Sequence, residues 1–377
     1  MSSLIGSSIK RVLHVLGGLD PGGIETWLVH SLRLVDRDRM RWDFAVNARE
    51  PGAYESEVRA LGSRVFVCGD HRKPWLFTRR LSDVLCRHGP YDAVHSHVAR
   101  YSGIVLWVAR RHRVPIRIAH SHNLLPPGDS EQLARQVYLW IARWLIRRCA
   151  TQCLAASEAA GTALFGEGMS YSVLRCGIEL KHFLGPLDRG GTRRDLEIPG
   201  DSLVIGHVGR FEPQKNHEFL LEVAGIAMRR EPRVHLLLVG KGRLHSRMER
   251  RACELGIRSR VVFAGLRGNV PQLMQDAMDV FVFPSVFEGL GLVVLEAQAA
   301  GLPTLISTNV PADAVVIPEL VTRISAQASA EEWADAALRR LGEPRPMSPS
   351  DALARIATSP FAIERSIVAL IEFYGGY

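Results

Sequence analysis

The stretch FVFPSVFEGLGLVVLEAQAAGLP, residues 281–303, decides the fold. It begins with an apolar run typical of a buried strand, passes through a glycine-containing loop, and continues as a helical pattern that stops at Gly301. Glycines at a helix entrance let a ligand approach the backbone, and the unpaired N–H groups of the first turn carry partial positive charge. The stretch therefore predicts a strand–loop–helix unit of an α/β domain, with an anion site that suits a diphosphate.

Two carboxylates accompany this unit. Glu288 lies in the loop, and Glu296 lies within the helical pattern among Val294, Leu295 and Ala297. A solvated helix position is the alternative for Glu296, but a carboxylate without a partner among apolar neighbours is costly. A ligand-binding role is therefore favoured, in which each carboxylate binds neighbouring hydroxyl groups of one ligand.

The segment VGRFEPQKN, residues 208–216, follows another strand pattern, Leu203–Val208. It places Arg210 directly after the strand and Lys215 five residues further on, before a helical pattern begins. The carboxyl ends of parallel strands meet at one edge of a sheet, where two cations can neutralise the charge of a departing diphosphate. Two solvated loop cations are the alternative, and the Glu288 loop at the same edge disfavours it.

The chain repeats this strand–helix alternation along its length, so the fold class is α/β. It opens with an apolar run, Val12–Leu16, a glycine loop over 17–23 and a helical pattern over Ile24–Leu34, as a Rossmann-like domain does. The other predicted strands are short apolar runs, most of them followed by helical patterns: Phe44–Val46, Val65–Val67, Ala93–His95, Ile116–Ala119, Gln152–Ala155, His235–Val239, Val261–Ala264, Val280–Pro284 and Thr304–Ser307.

The glycine, proline and charge content of residues 183–202 is typical of a linker. We therefore expect two Rossmann-like domains whose parallel sheets face a central cleft, where ligands usually bind. The expected boundaries are 1–185 for the first domain, 186–202 for the linker, 203–360 for the second domain and 361–377 for a closing helical segment that crosses back onto the first domain.

Composition indicates a globular protein, with 47% hydrophobic and 23% charged residues among 377. No run approaches the roughly 20 apolar residues of a membrane-spanning helix. The first 18 residues indicate a short leader into the first strand rather than a secretion signal. The six cysteines lack metal-site spacing and indicate reduced thiols, so a cytoplasmic location is expected.

The net charge of +8 is concentrated in the first half. Residues 1–189 hold 26 Lys/Arg and 17 Asp/Glu, and the remainder holds 21 and 22. This favours an anionic partner. No nucleic-acid-binding motif is present, so nucleic acid is not the expected partner. An anionic membrane surface, at the inner face of the plasma membrane, or a phosphate-linked acceptor is expected instead. A general arginine bias is the alternative. The run RQVYLWIARWLIRRC, residues 135–149, fits a membrane-surface helix or a core helix.

Two histidine pairs end strand patterns in the first domain: HSH, with His95 and His97, and HSHN, with His120 and His122. Four histidines could bind a metal, but the carboxylate or thiolate partners usual in such sites are missing nearby, so no metal is expected. Packing of the histidines between the domains is the alternative to a ligand-binding role.

Five segments resemble retaining glycosyltransferase family 4 of the GT-B fold, over nearly the whole chain. The 281–303 stretch resembles the Glu-x7-Glu signature of that family and is the most specific; CGIELKHF, residues 176–183, departs from the family's Asn-Gly-Val/Ile-Asp run. The loop and helix of the 281–303 stretch resemble most closely the branch of this family that builds bacterial capsular and extracellular polysaccharides. The other similar segments are VLHVLGGLDPGGIETWL (12–28), LAASEAAGTAL (154–164), LLLVGKGRL (236–244) and VVFAGLRGNV (261–270).

This resemblance implies transfer of a sugar from a nucleotide-sugar donor, with UDP as the expected nucleotide, to a glycan or lipid-linked acceptor, with retention and without metal or other cofactor. It implies a catalytic or donor-binding role for a set of matching positions. These are Arg210 and Lys215 on the diphosphate, Glu288 and the backbone of Gly289, Leu290, Gly291 and Leu292 on the sugar and adjoining phosphate, Glu296 on the ribose, Gly22 and Gly23 near the phosphates, and His122, with His120 as the second choice, near the reacting sugar.

Three other classes of protein share features with this sequence. A nucleotide-sugar 2-epimerase shares the fold, but the Glu288 and Glu296 pattern is not expected in it. A dinucleotide-dependent oxidoreductase is disfavoured because residues 17–23 do not match GxGxxG. A non-catalytic nucleotide-sugar-binding protein is the remaining alternative, and the presence of both cations and both carboxylates argues against it.

Overall fold

The structure is a computed structural model that describes residues 9–48, 50–69, 73–124 and 133–376. The chain divides into two compact units: unit 1 comprises Met1–Gly177 and Ile363–Tyr377, and unit 2 comprises Ile178–Ala362. Unit 2 thus includes the stretch 186–202 that composition indicated as a linker. Most of the leader expected at the N-terminus lies outside the described residues.

Unit 1 alternates strands and helices. Its strands are β1 (Lys10–Leu16), β2 (Met40–Val46), β3 (Val65–Val67), β4 (Ala93–Ser96), β5 (Ile116–Ser121), β6 (Gln152–Ala155) and β7 (Ser172–Val173). Its helices before unit 2 are α1 (Gly23–Leu34), α2 (Glu55–Ala60), α3 (Pro74–His88), α4 (Ser102–Arg111), α5 (Leu133–Cys149) and α6 (Glu158–Phe165).

In the described part of unit 1, these strands form one parallel sheet in the order β3-β2-β1-β4-β5-β6-β7. Successive strand residues point to opposite faces. On one face, Leu13 and Val15 join an apolar core with Phe77 of α3 and Val105 of α4. His14 lies between them in sequence and is completely buried on the other face, so this sheet buries histidines where parallel strands usually bury apolar residues.

Unit 2 has the same alternation. Its strands are β8 (Leu203–Val208), β9 (Val234–Val239), β10 (Val261–Gly265), β11 (Val280–Phe283), β12 (Thr304–Ser307) and β13 (Val321–Ile324). Its helices are α7 (Arg189–Asp195), α8 (His217–Arg230), α9 (His245–Glu254), α10 (Val270–Asp276), α11 (Leu292–Ala299), α12 (Ala330–Gly342) and α13 (Pro349–Thr358). The sheet is parallel in the order β10-β9-β8-β11-β12-β13.

The strand order of each sheet reverses at one point, between β1 and β4 in unit 1 and between β8 and β11 in unit 2. At such a point the connections leave the carboxyl ends of neighbouring strands in opposite directions, which opens a crevice where ligands of doubly wound sheets bind. Both segments singled out in the second domain, the 208–216 loop and the 281–303 stretch, follow the two strands at this point of unit 2.

The chain returns to unit 1 through its last helix, α14 (Ile363–Glu372). The indole N–H of Trp27 in α1 donates to Ser366 Oγ of α14 at 3.0 Å. Beyond the helix, the Lys10 ammonium donates to the carbonyl oxygens of Gly375 and Gly376, each at 2.7 Å. These bonds and the buried residues Ile367 and Leu370 fix the closing helix on the domain that contains β1.

The predicted strands are confirmed. Four agree at both ends, namely Val65–Val67, Gln152–Ala155, Leu203–Val208 and Thr304–Ser307, and the others differ by one to four residues. Among the described strands and α-helices, the short edge strands β7 and β13 and the helix α7, which lies inside the stretch 186–202, were not predicted. Helix α7 is held by the guanidinium of Arg193, which is buried and donates to Asp279 Oδ2 at 2.7 Å.

Candidate functional site

Helix α11 begins directly after the glycine loop that follows β11. Gly291 precedes the helix with φ 86° and ψ 61°, a left-handed conformation that favours glycine. Gly289 and Leu290 are buried in the loop, and Leu292 is the first residue of the helix. Because the cap residue is a glycine, no cap side chain competes with a ligand for the first N–H groups of α11.

The predicted cation Lys215 and the predicted loop carboxylate Glu288 are in contact. Lys215 Nζ lies 2.5 Å from Glu288 Oε1 and 4.6 Å from the centre of the Phe283 ring. Glu288 is only 5% exposed. A buried carboxylate needs a charged or hydrogen-bonded partner, and here the partner comes from the loop after the neighbouring strand.

The two loops are also joined through their backbones and amide side chains. The N–H of Val286 donates to the Gln214 carbonyl at 2.8 Å, and the Gln214 side-chain amide donates to the Phe287 carbonyl at 2.9 Å. Asn216, in a left-handed conformation with φ 56°, donates to the Pro284 carbonyl at 3.3 Å. This network fixes the position of Lys215 relative to the glycine loop.

Arg210 lies at the start of the same loop, next to Gly209. Its side chain is exposed, and it has no ion-pair partner among the described residues. The backbone of Gly209 is packed so closely against Gly240 that a Cβ at position 240 would clash with the Gly209 carbonyl oxygen. Arg210 therefore combines a fixed backbone with a cationic side chain that is available to an anion.

Glu296 lies on α11, four residues after the helix begins. Its neighbours Val294, Leu295 and Ala297 are buried, and the carboxylate has no hydrogen-bond or ion-pair partner among the described residues. Burial raises the pKa of Glu296 to about 7. The side chain retains some exposed surface, so this carboxylate is desolvated and still reachable by a ligand that brings hydroxyl donors.

The predicted histidines lie in a buried cluster in unit 1. His97 Nδ1 is 2.9 Å from His122 Nε2, and His95 Nε2 is 3.1 Å from His120 Nδ1. A fifth ring, His14, joins through its Nδ1 atom, 3.1 Å from His97 Nε2. Burial lowers the pKa of all five histidines, to about 3 for His14 and His122, so the rings are neutral near pH 7.

Two triads of this cluster satisfy the distance requirement of a metal site. The possible ligand atoms of each triad lie within 4.8 Å of one another. The rings, however, direct nitrogen atoms at one another, and no carboxylate of the described residues contacts them. The expectation that no metal binds at these histidines stays a prediction. The triads are His14, His95 and His97, and His97, His120 and His122.

The glycine loop of unit 1 provides the start of α1. Gly22 precedes the helix in an extended conformation, and Gly23 is its first residue. A Cβ at Gly22 would lie 2.5 Å from Glu25 Oε2, so a larger residue here would require Glu25 to move. Their predicted proximity to the donor phosphates stays a prediction.

Helix α5 has two apolar faces. One packs in unit 1 through Ala142, Ile146 and Cys149. The other is open to solvent, and Trp140 is 67% exposed. The buried face agrees with the core-helix interpretation, and the membrane-surface interpretation stays a prediction. The exposed α4–α5 surface consists of Trp107, Val137, Tyr138, Trp140, Ile141 and Trp144, with Arg111 over Trp107, Arg100 over Tyr138 and Arg148 over Trp144.

The structure thus brings Lys215 into contact with Glu288 beside the glycine loop. Lys215 and Arg210 lie in the same loop, after β8. It brings His120 and His122 into one cluster in the other unit. Sequence reasoning missed His14, whose only signal was a histidine inside the apolar run VLHVL of β1. It also missed Tyr374, whose hydroxyl is 2.6 Å from His95 Nδ1.

Two Rossmann-like units, one of them with paired charges beside a glycine-lined helix entrance, define the class of GT-B glycosyltransferases. Comparison with known families agrees. Residues 22–173 match the glycosyl transferase 4-like domain, and residues 188–350 match glycosyl transferases group 1. Among the described residues, no helix combines the length and apolar character needed to cross a membrane.

Individual proteins extend this match to the full length. EpsF of Bacillus subtilis, named as a glycosyltransferase, is 35% identical over 98% of this chain and 97% of its own. An Escherichia coli UDP-Gal:alpha-D-GlcNAc-diphosphoundecaprenol alpha-1,3-galactosyltransferase is 28% identical over 59% of each chain. The fold is shared with Anabaena Alr3699/HepE in complex with UDP-glucose, with a TM-score of 0.81 at 22% identity, over 97% of this chain and 99% of that one. The chain belongs to the GT-B glycosyltransferases.

Proposed function

We propose that this protein is a family 4 enzyme that transfers a sugar from a UDP-sugar to an acceptor hydroxyl with retention of anomeric configuration. The observation that carries the proposal is the contact of Lys215 with Glu288 at the point where the strand order of unit 2 reverses. It joins a cation suited to a diphosphate with a carboxylate suited to sugar hydroxyls, beside the entrance of α11.

In the proposed reaction the acceptor oxygen forms a bond to the anomeric carbon while the bond from that carbon to the phosphate oxygen breaks. The acceptor attacks from the face that the diphosphate leaves, and its proton passes to the leaving phosphate oxygen. Lys215 and Arg210 offset the negative charge that develops there. The first N–H groups of α11 bind the adjoining phosphate, so the reaction requires no metal ion and no other cofactor.

Glu296 is proposed to bind the two ribose hydroxyls of the donor. Hydroxyl donors favour the charged form of a carboxylate whose pKa is raised by burial. Binding of the ribose would therefore remove a proton from Glu296 near neutral pH. UDP as the nucleotide is supported by the HepE complexes with UDP and UDP-glucose and by the UDP-Gal donor in the name of the Escherichia coli relative.

The proposed acceptor is a glycan or lipid-linked sugar of capsule or exopolysaccharide assembly. The diphosphoundecaprenol in the name of the Escherichia coli relative supports a lipid-linked acceptor. The exposed α4–α5 surface, in which arginines lie over exposed aromatic rings, supports peripheral contact with an anionic membrane. We place the enzyme in the cytoplasm, at the inner face of the plasma membrane.

The test is a transfer assay with a panel of UDP-sugars and undecaprenyl-diphosphate sugars, read by release of UDP and by NMR of the new glycosidic bond. The proposal predicts UDP release that depends on the acceptor and an anomeric configuration equal to that of the donor. Inversion would exclude the retaining mechanism. Conversion of the donor sugar without any acceptor would indicate an epimerase.

A further inference from the structure

Three of the buried histidines form a linear chain of hydrogen bonds. His14 in β1 contacts His97 after β4, at 3.1 Å, and His97 contacts His122 after β5, at 2.9 Å. The outer end of the chain is His122 Nδ1, which lies 4.0 Å from the sulfur of Cys176. The inner end is His14 Nε2, which is buried without a hydrogen-bond partner among the described residues.

Neutral rings in such a chain cannot choose their tautomers independently. A neutral imidazole has one N–H and one bare nitrogen, so each ring–ring bond needs a donor on one side and an acceptor on the other. Burial lowers the pKa of all three rings. The chain therefore has two states: all three protons on Nδ1, or all three on Nε2.

Two features favour the state with protons on Nδ1. In that state the unsatisfied His14 Nε2 is a bare acceptor, whereas the other state would bury an N–H without a partner, which is the rarer and costlier defect. The Cys176 thiol also lies 4.0 Å from the Leu174 carbonyl oxygen, which only accepts. A thiol proton directed there leaves the sulfur as an acceptor for His122 Nδ1–H.

We propose that His14 and His97 are positioning residues that hold the His122 proton on Nδ1, so that His122 acts as a hydrogen-bond donor and not as a base. This rests on the proposed function and on the role that the family resemblance implies for His122, near the reacting sugar. The weak sulfur contact at 4.0 Å is the bond of His122 Nδ1 that a sugar oxygen can replace. The Nε2 atom remains occupied by His97.

A second histidine chain, from Tyr374 through His95 to His120, is separate in its hydrogen bonds. The Tyr374 hydroxyl lies 2.6 Å from His95 Nδ1, and His95 Nε2 lies 3.1 Å from His120 Nδ1. The rings of His120 and His122 are tilted by 37° with centroids 3.8 Å apart, and no hydrogen bond joins them. The proton position on His122 thus depends on His97.

The test is ¹⁵N NMR of the imidazole nitrogens in histidine-labelled protein, with assignment through single variants. The expected spectrum of the unmodified protein shows His122 with a protonated Nδ1 and a bare Nε2. In His97→Leu the constraint is lost, and His122 should populate both tautomers, with turnover reduced about five- to tenfold for one lost hydrogen bond. Trp42→Phe is the control, because Trp42 packs 4.4 Å from the His14 ring without hydrogen bonding to it.

A protonated Nε2 on His122 in the unmodified protein would overturn the proposal, and so would an unchanged His122 tautomer in His97→Leu. If His97→Leu does not fold, His97→Asn retains a polar partner for His122, and the spectrum of the unmodified protein already decides between the two states. A separate variant, His122→Ala, tests the proposed function. Full turnover in that variant would show that His122 has no role at the donor site. It would not contradict the arrangement of protons along the histidine chain.

Discussion

Lys215 and Glu288 are 73 residues apart in sequence, and their charged atoms lie 2.5 Å apart. The contact joins the loop after β8 to the loop after β11, and the structure surrounds it with three further hydrogen bonds between the same loops. The pair is nearly buried, with side-chain exposures of 16% and 6%. Removal of either charge leaves the other desolvated, so the pair is suited to respond to a ligand that carries both negative phosphates and hydroxyl donors.

The first prediction concerns this pair. Lys215→Gln keeps a hydrogen-bond donor for Glu288 but removes the charge, and we expect turnover to fall about 10²–10³-fold because one preorganised cation is lost. Turnover should be followed by UDP release, with urea unfolding measured in parallel. The control Arg229→Gln removes one charge from an exposed position at the end of α8. Near-normal turnover in Lys215→Gln would contradict the assigned role.

The second prediction concerns the helix entrance. Gly291→Ala and Gly256→Ala each place an alanine at positive φ, 86° and 69°. Each should destabilise the fold by about 1–2 kcal/mol. Only Gly291→Ala is expected to weaken UDP binding, because strain at the residue that precedes α11 shifts the first N–H groups of that helix. Calorimetric titration with UDP measures the difference. Equal affinities in the two variants would argue against a phosphate at α11.

The third prediction concerns Glu296. Its folded pKa is raised to about 7 from an ordinary value of 4.5, so the folded protein holds this proton more tightly than the unfolded chain. The resulting stability is complete below pH 4.5 and is lost as pH rises through 7. Glu296→Gln should therefore raise the free energy of unfolding at pH 8 by up to about 3 kcal/mol, with no gain at pH 4.

The same variant should lose affinity for UDP about 10–100-fold, because the ribose loses a charge-assisted acceptor. Glu167→Gln, at an exposed turn, is the matched control. A Glu296→Gln protein that is less stable at pH 8 and binds UDP normally would show that the carboxylate has a structural role.

The fourth prediction concerns the histidine cluster. The pKa of each of its five rings is lowered by burial, to about 3 for His14 and His122, so the unfolded chain binds more protons below pH 6.5 than the folded protein does. Stability should fall as pH decreases below 6.5, by up to about 1.4 kcal/mol per pH unit for each histidine. Urea unfolding between pH 5 and 7 should show this slope. His14→Phe should reduce it, and His182→Gln, at an exposed position, should not.

The fifth prediction concerns the exposed α4–α5 surface. The protein should float with phosphatidylserine-containing vesicles at low salt and not with phosphatidylcholine alone. Trp140→Ser with Trp144→Ser should reduce binding at least tenfold, since each buried aromatic ring contributes roughly 1.5–3 kcal/mol. Trp75→Ser removes a tryptophan that is 70% exposed on α3 and is the control. An equal loss of vesicle binding in the Trp140→Ser, Trp144→Ser variant and in Trp75→Ser would contradict a specific role of α5 in membrane contact.

The sequence was sufficient to place the loops of Lys215 and Glu288 at one edge of the sheet, although the direct contact between the two side chains was not predicted. Each follows a strand with an apolar pattern, and the rule that parallel strands end at one sheet edge brings their loops together without further information. The same patterns located Leu203–Val208 at both ends. These features depend on local sequence and one general rule of topology.

The histidine cluster and α7 could not be predicted in this way. The register of the sheet sets His14 opposite His95, and which ring contacts which depends on the helices that cover that face. Helix α7 lies in a stretch with linker composition, and it is held by Arg193, whose partner Asp279 is 86 residues further along the chain. Contacts between distant residues outweighed local composition at both places.

The central claim is that unit 2 binds a nucleoside diphosphate through Lys215 and Arg210. The most direct measurement is urea unfolding in the presence of UDP at 100 times its dissociation constant. We expect UDP to stabilise the protein by about 2.7 kcal/mol, and we expect the double substitution Arg210→Gln with Lys215→Gln, at the same UDP concentration, to remove most of this gain. Equal stabilisation of both proteins by UDP, or none of either by any nucleoside diphosphate, would contradict it.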